Sequence, residues 1–413
     1  MQVAVVGGGV VGVSTAFFLA AAGHEAVVLE RGSNVAEEAS FGNSGLVAPA
    51  SAAPWALPGM PRRLLGTLLH RESPVLLRRR LDPTLWRWVK RWMSECELDR
   101  LCQNKERLHR LGSYSRALLE QLRLHYHLDY EQTGGHLRLF RTASELAQAQ
   151  PLLDLLQQAE VPHHLLDPDA ARAIEPALTT TALAQALHLP GDEAGNCALF
   201  TKQMKTIAQS IGVQFHFGAE VQRVEALDNR VALHVGEHHF TADAVVLAAG
   251  TNNPLLMGAS ATRIPFHTMQ TYAATCSIRD FDEAPLASLT DDAFKCTITR
   301  FGNRVRVSGV VAPSPRDTTV PELAQRTLHR VGSDWFPNAT NYSNATLWSG
   351  ARLALPDGVP LVGPTTVRRV FVGLDDGSNG WTAALGMAKI LSDMVGARTP
   401  DIDVNGLTLS RYG

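Results

Sequence analysis

The sequence predicts an α/β protein: a Rossmann-like unit, discontinuous along the chain, joined to a second, α+β unit that contains a mixed sheet. Three observations carry that prediction. The first 30 residues read as strand, glycine turn, helix and strand; strand patterns return near residue 213 and again near the C-terminus; and 413 residues is chain enough for two or three domains. A composition 45% hydrophobic and 19% charged is that of an ordinary globular protein, and a net charge of −2 excludes a globally basic nucleic-acid binder. Five cysteines with no C-x-x-C pair argue against a disulfide framework or a zinc site, and for a reducing compartment.

The apolar N-terminus imitates a signal peptide or an anchor. Both readings fail, because no basic segment precedes the apolar run and glycines interrupt it. No other stretch offers roughly 18 uninterrupted apolar residues, so no spanning helix is expected.

Residues 2–6 read as a buried strand and residues 13–22 as an apolar helix closed by Gly23; residues 24–29 form a second strand with Glu30 at its end. Between them, Gly7, Gly9 and Gly12 fit G-x-G-x-x-G. Gly7 permits the tight turn, Gly9 lets the backbone approach a pyrophosphate, and Gly12 lets the helix pack close to the strand. Val10 and Val11 open the helix, whose N-terminus supplies N–H donors and partial positive charge. Glu30 lies 18 residues beyond Gly12, placed to accept hydrogen bonds from a ribose diol, with Arg31 beside it. An acid rather than an arginine there favours an unphosphorylated ribose, as in FAD or NAD.

The chain beyond Arg31 separates these two. Residues 39–45, ASFGNSG, form a small polar loop that offers Ser40, Asn43, Ser44 and Gly45; Pro-rich and helical sequence follows instead of further βαβ units. Strands reappear at 212–217, around Val221, and at 244–251, where the last runs into Ala249 and Gly250. Another occupies 370–373; a loop with Gly377 and Gly380 then opens a helix at Trp381 and Thr382. That second helix N-terminus can also stabilise negative charge.

These features, with residues 53–59 (APWALPG), 134–140 (GGHLRLF), 189–195 (LPGDEAG), 348–352 (WSGAR), 356–360 (PDGVP) and 380–382 (GWT), identify a resemblance spread over nearly the whole chain. The chain resembles the FAD-dependent amino-acid oxidoreductases that include D-amino acid oxidase, glycine oxidase and sarcosine oxidase, and most of all the bacterial D-amino acid dehydrogenases. The resemblance implies FAD as cofactor, with the FAD-binding unit at 1–84, 144–255 and 345–413 and the substrate unit at 85–143 and 256–344. It implies hydride removal from an amine-bearing carbon to flavin N5, then hydrolysis of the imine to a 2-oxo acid and ammonia. It places a carboxylate-binding role on Arg352, whose fork matches a carboxylate in a way lysine does not. Tyr272, on a strand at 271–278, is the second candidate for that carboxylate; His267 reads as structural. Where relatives carry Gly-His-Gly, this chain has Asp375-Asp376-Gly377, which bears on substrate choice. The flavin is expected to be non-covalent: the last cysteine is Cys296, and residues 40–45 contain no histidine.

Residues 61–93 carry eight Arg and one Lys against Glu72 and Asp82, a formal +7. Within them, Leu85, Trp88, Val89 and Trp92 share one helical face, with Arg87, Lys90 and Arg91 largely elsewhere. Such a helix is either an interfacial membrane element or a core-packed helix with a solvated basic face. The resemblance favours the first, with a quinone or other respiratory acceptor and a peripheral place on the cytoplasmic side of a bacterial inner membrane. The alternative is a soluble oxidase of glycine, sarcosine or proline-like amino acids that makes hydrogen peroxide.

Overall fold

The computed structural model describes residues 1–62, 75–76, 82–180, 182–258, 261, 264–313, 319–375 and 377–412. In chain order the first part holds β1 (Gln2–Val6), α1 (Val10–Ala21), β2 (Glu25–Glu30), β3 (Leu46–Val47), α2 (Pro83–Glu95), α3 (Leu98–Tyr126), β4 (Thr133–Phe140), α4 (Ala143–Gln158), β5 (His164–Leu166), α5 (Pro168–Ile174), β6 (Gln185–Ala194) and α6 (Cys197–Ser210). There follow β7 (Gln214–Phe217), β8 (Val221–Ala226), β9 (Val231–Val235), β10 (His238–Ala242), β11 (Ala244–Leu247), α7 (Asn253–Met257), β12 (His267–Ser277), β13 (Ser288–Asp291), β14 (Cys296–Phe301) and β15 (Arg304–Pro313). The last elements are α8 (Glu322–Trp335), β16 (Thr346–Ala354), β17 (Leu361–Pro364), β18 (Val370–Leu374) and α9 (Gly380–Val395).

The first sheet runs β17-β18-β11-β1-β2-β7; its pairs are parallel except for the edge pair β17–β18. Strand β1 is apolar from Val3 to Val6 because both of its faces are covered there. Val3 and Val5 join a cluster with α1, α3, α6 and α9, while Ala4 and Val6 pack on the other side with the β8–β9–β10 meander.

Helix α3 departs from the expected division of the chain. Leu108, Leu111, Leu119 and Leu122 sit in the same cluster as α1 and α9, and Gly386 lets α9 cross Leu111 closely. This helix therefore belongs with the nucleotide-type sheet, not with a unit at 85–143.

Among the described residues the second sheet has nine strands, ordered β16-β12-β15-β14-β13-β4-β6-β3, with β5 alongside β6. It takes β3, β5, β6 and β16 from segments that the sequence assigned to the other unit, so the boundaries at 84, 144 and 345 do not separate the sheets. Period-two alternation sorts its faces. Leu137, Leu139, Tyr272, Ala274, Leu289, Ile298 and Val307 pack beneath Leu328, Val331 and Trp335 of α8. The residues between them, among them Arg138, Thr271, Thr290, Thr297 and Ser308, turn toward a cleft between the two sheets.

Helix α2 forms where Asp82 caps Thr84 and a proline opens the first turn. Its apolar stripe is spent on the protein: Trp88 Nε1 donates to the Ala354 carbonyl (2.9 Å), Trp92 is buried, and the two indoles stack with centroids 6.2 Å apart. Of the two readings left open for Leu85, Trp88, Val89 and Trp92, the stripe takes the core-packed one. The rest of the basic segment, residues 63–74 and 77–81, lies outside the described residues.

Candidate functional site

The cleft, of about 480 Å³, opens at the carboxyl ends of β1, β2, β11 and β18, where ligands bind in open parallel sheets. Gly7, Gly8, Gly9, Val10 and Val11 line it. The turn is built for backbone contact: a Cβ on Gly7, at φ +111°, would lie 2.4 Å from the Ala248 carbonyl oxygen, and one on Gly12 would lie 1.9 Å from that of Gly7. Helix α1 has neither an acidic residue in its first turn nor a side-chain cap from Gly9. Its N-terminal charge is thus free to face a phosphate. The Ser40 hydroxyl approaches from the facing loop and accepts from Val10 N–H (3.1 Å).

Glu30 ends β2 on the cleft wall, where one carboxylate oxygen accepts from Gly8 N–H and the other from Gly32 N–H (2.6 Å). The carboxylate therefore ties the glycine turn to the chain leaving β2, and the residue lines the cleft. Arg31 also lines the cleft and pairs with Glu38.

Loop 39–45 carries Asn43 and Ser44 into the lining. Arg306 holds this loop from behind by donating to the Phe41 (2.7 Å) and Asn43 (2.9 Å) carbonyls, and burial pushes its guanidinium down to about 10. Gly42 is required by Trp348, whose ring would lie 2.2 Å from a Cβ there. Gly45 and Gly12 stand behind the wall rather than in it; Gly45, at φ +92°, packs on Phe301.

On the far side, Val221, Ala249 and Gly250 line the cleft, as do Gly377, Gly380, Trp381 and Thr382 at the start of α9. The Thr382 hydroxyl is committed to loop backbone, accepting from Ala48 N–H (3.1 Å) and donating to the Leu46 carbonyl (3.2 Å). A dinucleotide fits this donor set: two helix N-termini, an acid at the ribose position, and glycines where a Cβ would fill the cradle. Two buried polar atoms of the lining, Trp381 Nε1 and Ser308 Oγ, have no hydrogen-bond partner among the described residues. None of the five cysteines lines the cleft.

At the other end of the cleft Arg352 projects from β16, opposite Met269 of β12. Among the described residues three neighbours hold it. Its Nη1 donates to Ser378 Oγ (2.7 Å), its guanidinium stands over the Trp55 ring at 5.6 Å, and Gly377, at φ +74°, packs on its stem, where a Cβ would lie 2.5 Å from Cδ. Burial raises the Asp375 carboxyl next to this turn, and the Gly377 N–H and Arg352 oppose the shift. Asp376 lies outside the described residues.

The expectation for Tyr272 is corrected. Its side chain is fully buried on the α8 face of the sheet, because the alternation that turns Thr271 to the cleft turns Tyr272 away. His267 is not in the lining; it is buried, close enough to feel the charge of Asp82.

Sequence reasoning passed over a charged group in the same wall. Arg138 of β4 pairs with Asp292, which also accepts from Lys295 Nζ (2.8 Å), and all three line the cleft. Burial would raise the Asp292 carboxyl, but Lys295 and Arg138 outweigh it and hold it well below the usual range. The signal was present: Arg138 alternates with two buried leucines in GGHLRLF.

Residues 2–394 match the FAD dependent oxidoreductase (DAO) family. The chain is 38% identical, over 416 positions and the full length of both chains, to D-amino acid dehydrogenase 1 of Mesorhizobium japonicum. Among solved structures it is similar to glycine oxidase from Geobacillus kaustophilus (TM-score 0.77, 20% identity, 99% of each chain) and to L-proline dehydrogenase from P. horikoshii (TM-score 0.76, 16% identity, 100% of this chain and 97% of that one). At those identities the structures speak for the fold.

Two outcomes test the placement of these residues. Glu30→Ala leaves the Gly8 N–H of the turn and the Gly32 N–H beyond β2 without their acceptor and should weaken FAD retention by about 1.5–3 kcal/mol, read as lower occupancy on purification and faster flavin loss on dilution. Tyr272→Phe should keep substrate-driven flavin reduction within about twofold of wild type and cost at most about 1 kcal/mol in denaturant unfolding, as for one hydroxyl in a core.

Proposed function

The chain belongs to the FAD-dependent oxidoreductase family, and from that premise we propose that it is a D-amino acid dehydrogenase, oxidising the amine-bearing carbon and passing electrons to a membrane quinone. FAD, held without a covalent link, would supply the two-electron acceptor for oxidation of the amine-bearing carbon, and hydrolysis of the oxidised substrate would release a 2-oxo acid and ammonia. The residues of this chain supply binding and aim.

Arg352 carries the reading. A guanidinium held by a hydroxyl, an aromatic face and a glycine turn is a preorganised fork for a carboxylate. Fixing the carboxylate fixes the adjacent carbon, and such orientation is a large share of what a protein can add to a reaction whose redox chemistry belongs to a cofactor. The choice of D-amino acids is supported by the Mesorhizobium japonicum relative.

Contact with a membrane, where a quinone would be met, is supported by the outward face of α2. Trp86 and Met93, seven residues apart, are 64% and 53% exposed, and Arg87, Lys90 and Arg91 surround them. Exposed tryptophan among basic residues suits the headgroup region of an anionic membrane. Among the described residues no helix is long and apolar enough to cross a membrane, so contact would be peripheral.

Arg352→Ala should retain FAD yet lose about 10²-fold or more in anaerobic flavin reduction by D-amino acids, and Arg352→Lys should recover only part of that. An amine without a carboxylate should react equally poorly with all three proteins. Near-wild-type reduction by the Ala variant would place the carboxylate elsewhere, and rapid oxygen consumption without an added acceptor would favour the oxidase alternative.

Wild-type protein should bind vesicles rich in phosphatidylglycerol and not those of phosphatidylcholine. Replacing Arg87 and Lys90 by Ala should weaken that binding roughly 30-fold, at about 1 kcal/mol per charge, with flavin reduction by substrate unchanged. Failure of the wild type to bind anionic vesicles would remove the membrane element.

A further inference from the structure

Two buried, oppositely charged side chains, neither of which lines the cleft, grip the loop that leaves β3. Ala48, Ser51, Ala52 and Trp55 of this loop line the cleft. Lys105 of α3 is 4% exposed, and its ammonium donates to the carbonyls of Pro49 (3.2 Å), Ala50 (2.6 Å) and Ala52 (2.5 Å). Asp192 of β6 is 2% exposed and accepts from the N–H groups of Ala50 (2.9 Å) and Ser51 (2.8 Å). All three ammonium protons are used, and Ala50 is bound through both of its backbone groups, one to each charge. Burying a charge is costly unless such bonds offset it, so any shift of this loop exposes the cost again.

Three residues beyond Ala52 stands Trp55, the aromatic face beneath Arg352. We propose that Lys105 and Asp192 are positioning residues for the reaction, fixing residues 49–52 so that Trp55 holds the Arg352 guanidinium in line with the substrate carboxylate. The proposal rests on the carboxylate role of Arg352 given above.

The surroundings make the grip sensitive to pH near neutrality. Burial lowers the Lys105 ammonium to about 7, with Asp192 of β6 opposing the shift and Arg138 of β4 adding to it. Burial raises the Asp192 carboxyl to about 6, opposed by the Ala50 and Ser51 N–H groups and by Lys105 and Arg116 of α3. His109, also on α3, lies 3.3 Å from the Pro49 carbonyl and is lowered by burial. As pH rises through about 7, Lys105 loses a proton and with it one of its three bonds to the loop.

The test uses the FAD-loaded full chain and two variants, Lys105→Met and the near-isosteric Asp192→Asn. Hydrogen–deuterium exchange should accelerate about tenfold or more in residues 48–55 of each variant and stay unchanged in β1 and α1. Anaerobic stopped-flow reduction at pH 6.5, with the best wild-type D-amino acid, should show apparent affinity roughly 10- to 100-fold weaker in the variants, as a misplaced binding group implies. The corresponding amino alcohol, which has no carboxylate, should show no such loss. At pH 8.5 the gap between Lys105→Met and wild type should narrow, because wild type has then lost the same charge; substrate ionisation cancels in the ratio. Unchanged loop exchange would overturn the proposal, as would a loss that is equal for both substrates and independent of pH. If no D-amino acid reduces the wild type, the substrate reading fails, and loop exchange alone decides whether the two charges fix the loop.

Discussion

A contact with no side chain in it underlies the rest of the structure. Where β1 ends, the Gly7 carbonyl lies against Gly12 of α1, and Gly7 itself lies against the Ala248 carbonyl at the end of β11. Any Cβ at Gly7 or Gly12 would push the helix off the strand ends. Because nothing intervenes, the N-terminus of α1 reaches the cleft floor with its partial charge intact, and Glu30 comes close enough to bind the turn. The cleft is therefore made first of backbone, and side chains are added around it.

The opposite wall obeys a different constraint. Where α8 covers one face of this sheet and the cleft lies on the other, the strands must alternate, and that alternation delivers the polar residues Thr271, Thr290, Thr297, Ser308 and Arg138 to the cleft. Buried charges recur around it. Arg306 binds the carbonyls of loop 41–43, Lys105 and Asp192 bind loop 49–52, and Arg138 and Lys295 share Asp292. Arg306, Lys105 and Asp192 are costly to desolvate and each meets several partners, which is the condition under which a buried charge specifies one geometry for a loop that propensity leaves free.

Helix α2 shows how one amphipathic pattern divides between two uses. Its apolar stripe docks onto the protein through Trp88 and Trp92, while Trp86 and the basic residues remain outside. The stripe needs a neighbour whatever that neighbour is, so the pattern alone does not distinguish a lipid surface from the end of β16.

The sequence by itself determined what depends on neighbours in the chain. Strand, glycine turn, helix, strand and acid follow one another within 30 residues, and their geometry is local, so the floor of the cleft and the places of Gly7, Gly9, Gly12 and Glu30 around it were legible. The place of Arg352 beside the cleft was legible as well, because its motif carries a resemblance. Tertiary structure alone decided what depends on pairing across the chain. The direction of Tyr272 follows from which face of β12 meets α8; the assignment of α3 follows from its crossing with α9 at Gly386. Lys105 and Asp192 lie 87 residues apart and meet only because α3 and β6 pack on the same loop. A lysine on a long helix reads in sequence as a solvated charge, and only the fold, by taking water away, gives it three carbonyls to hold.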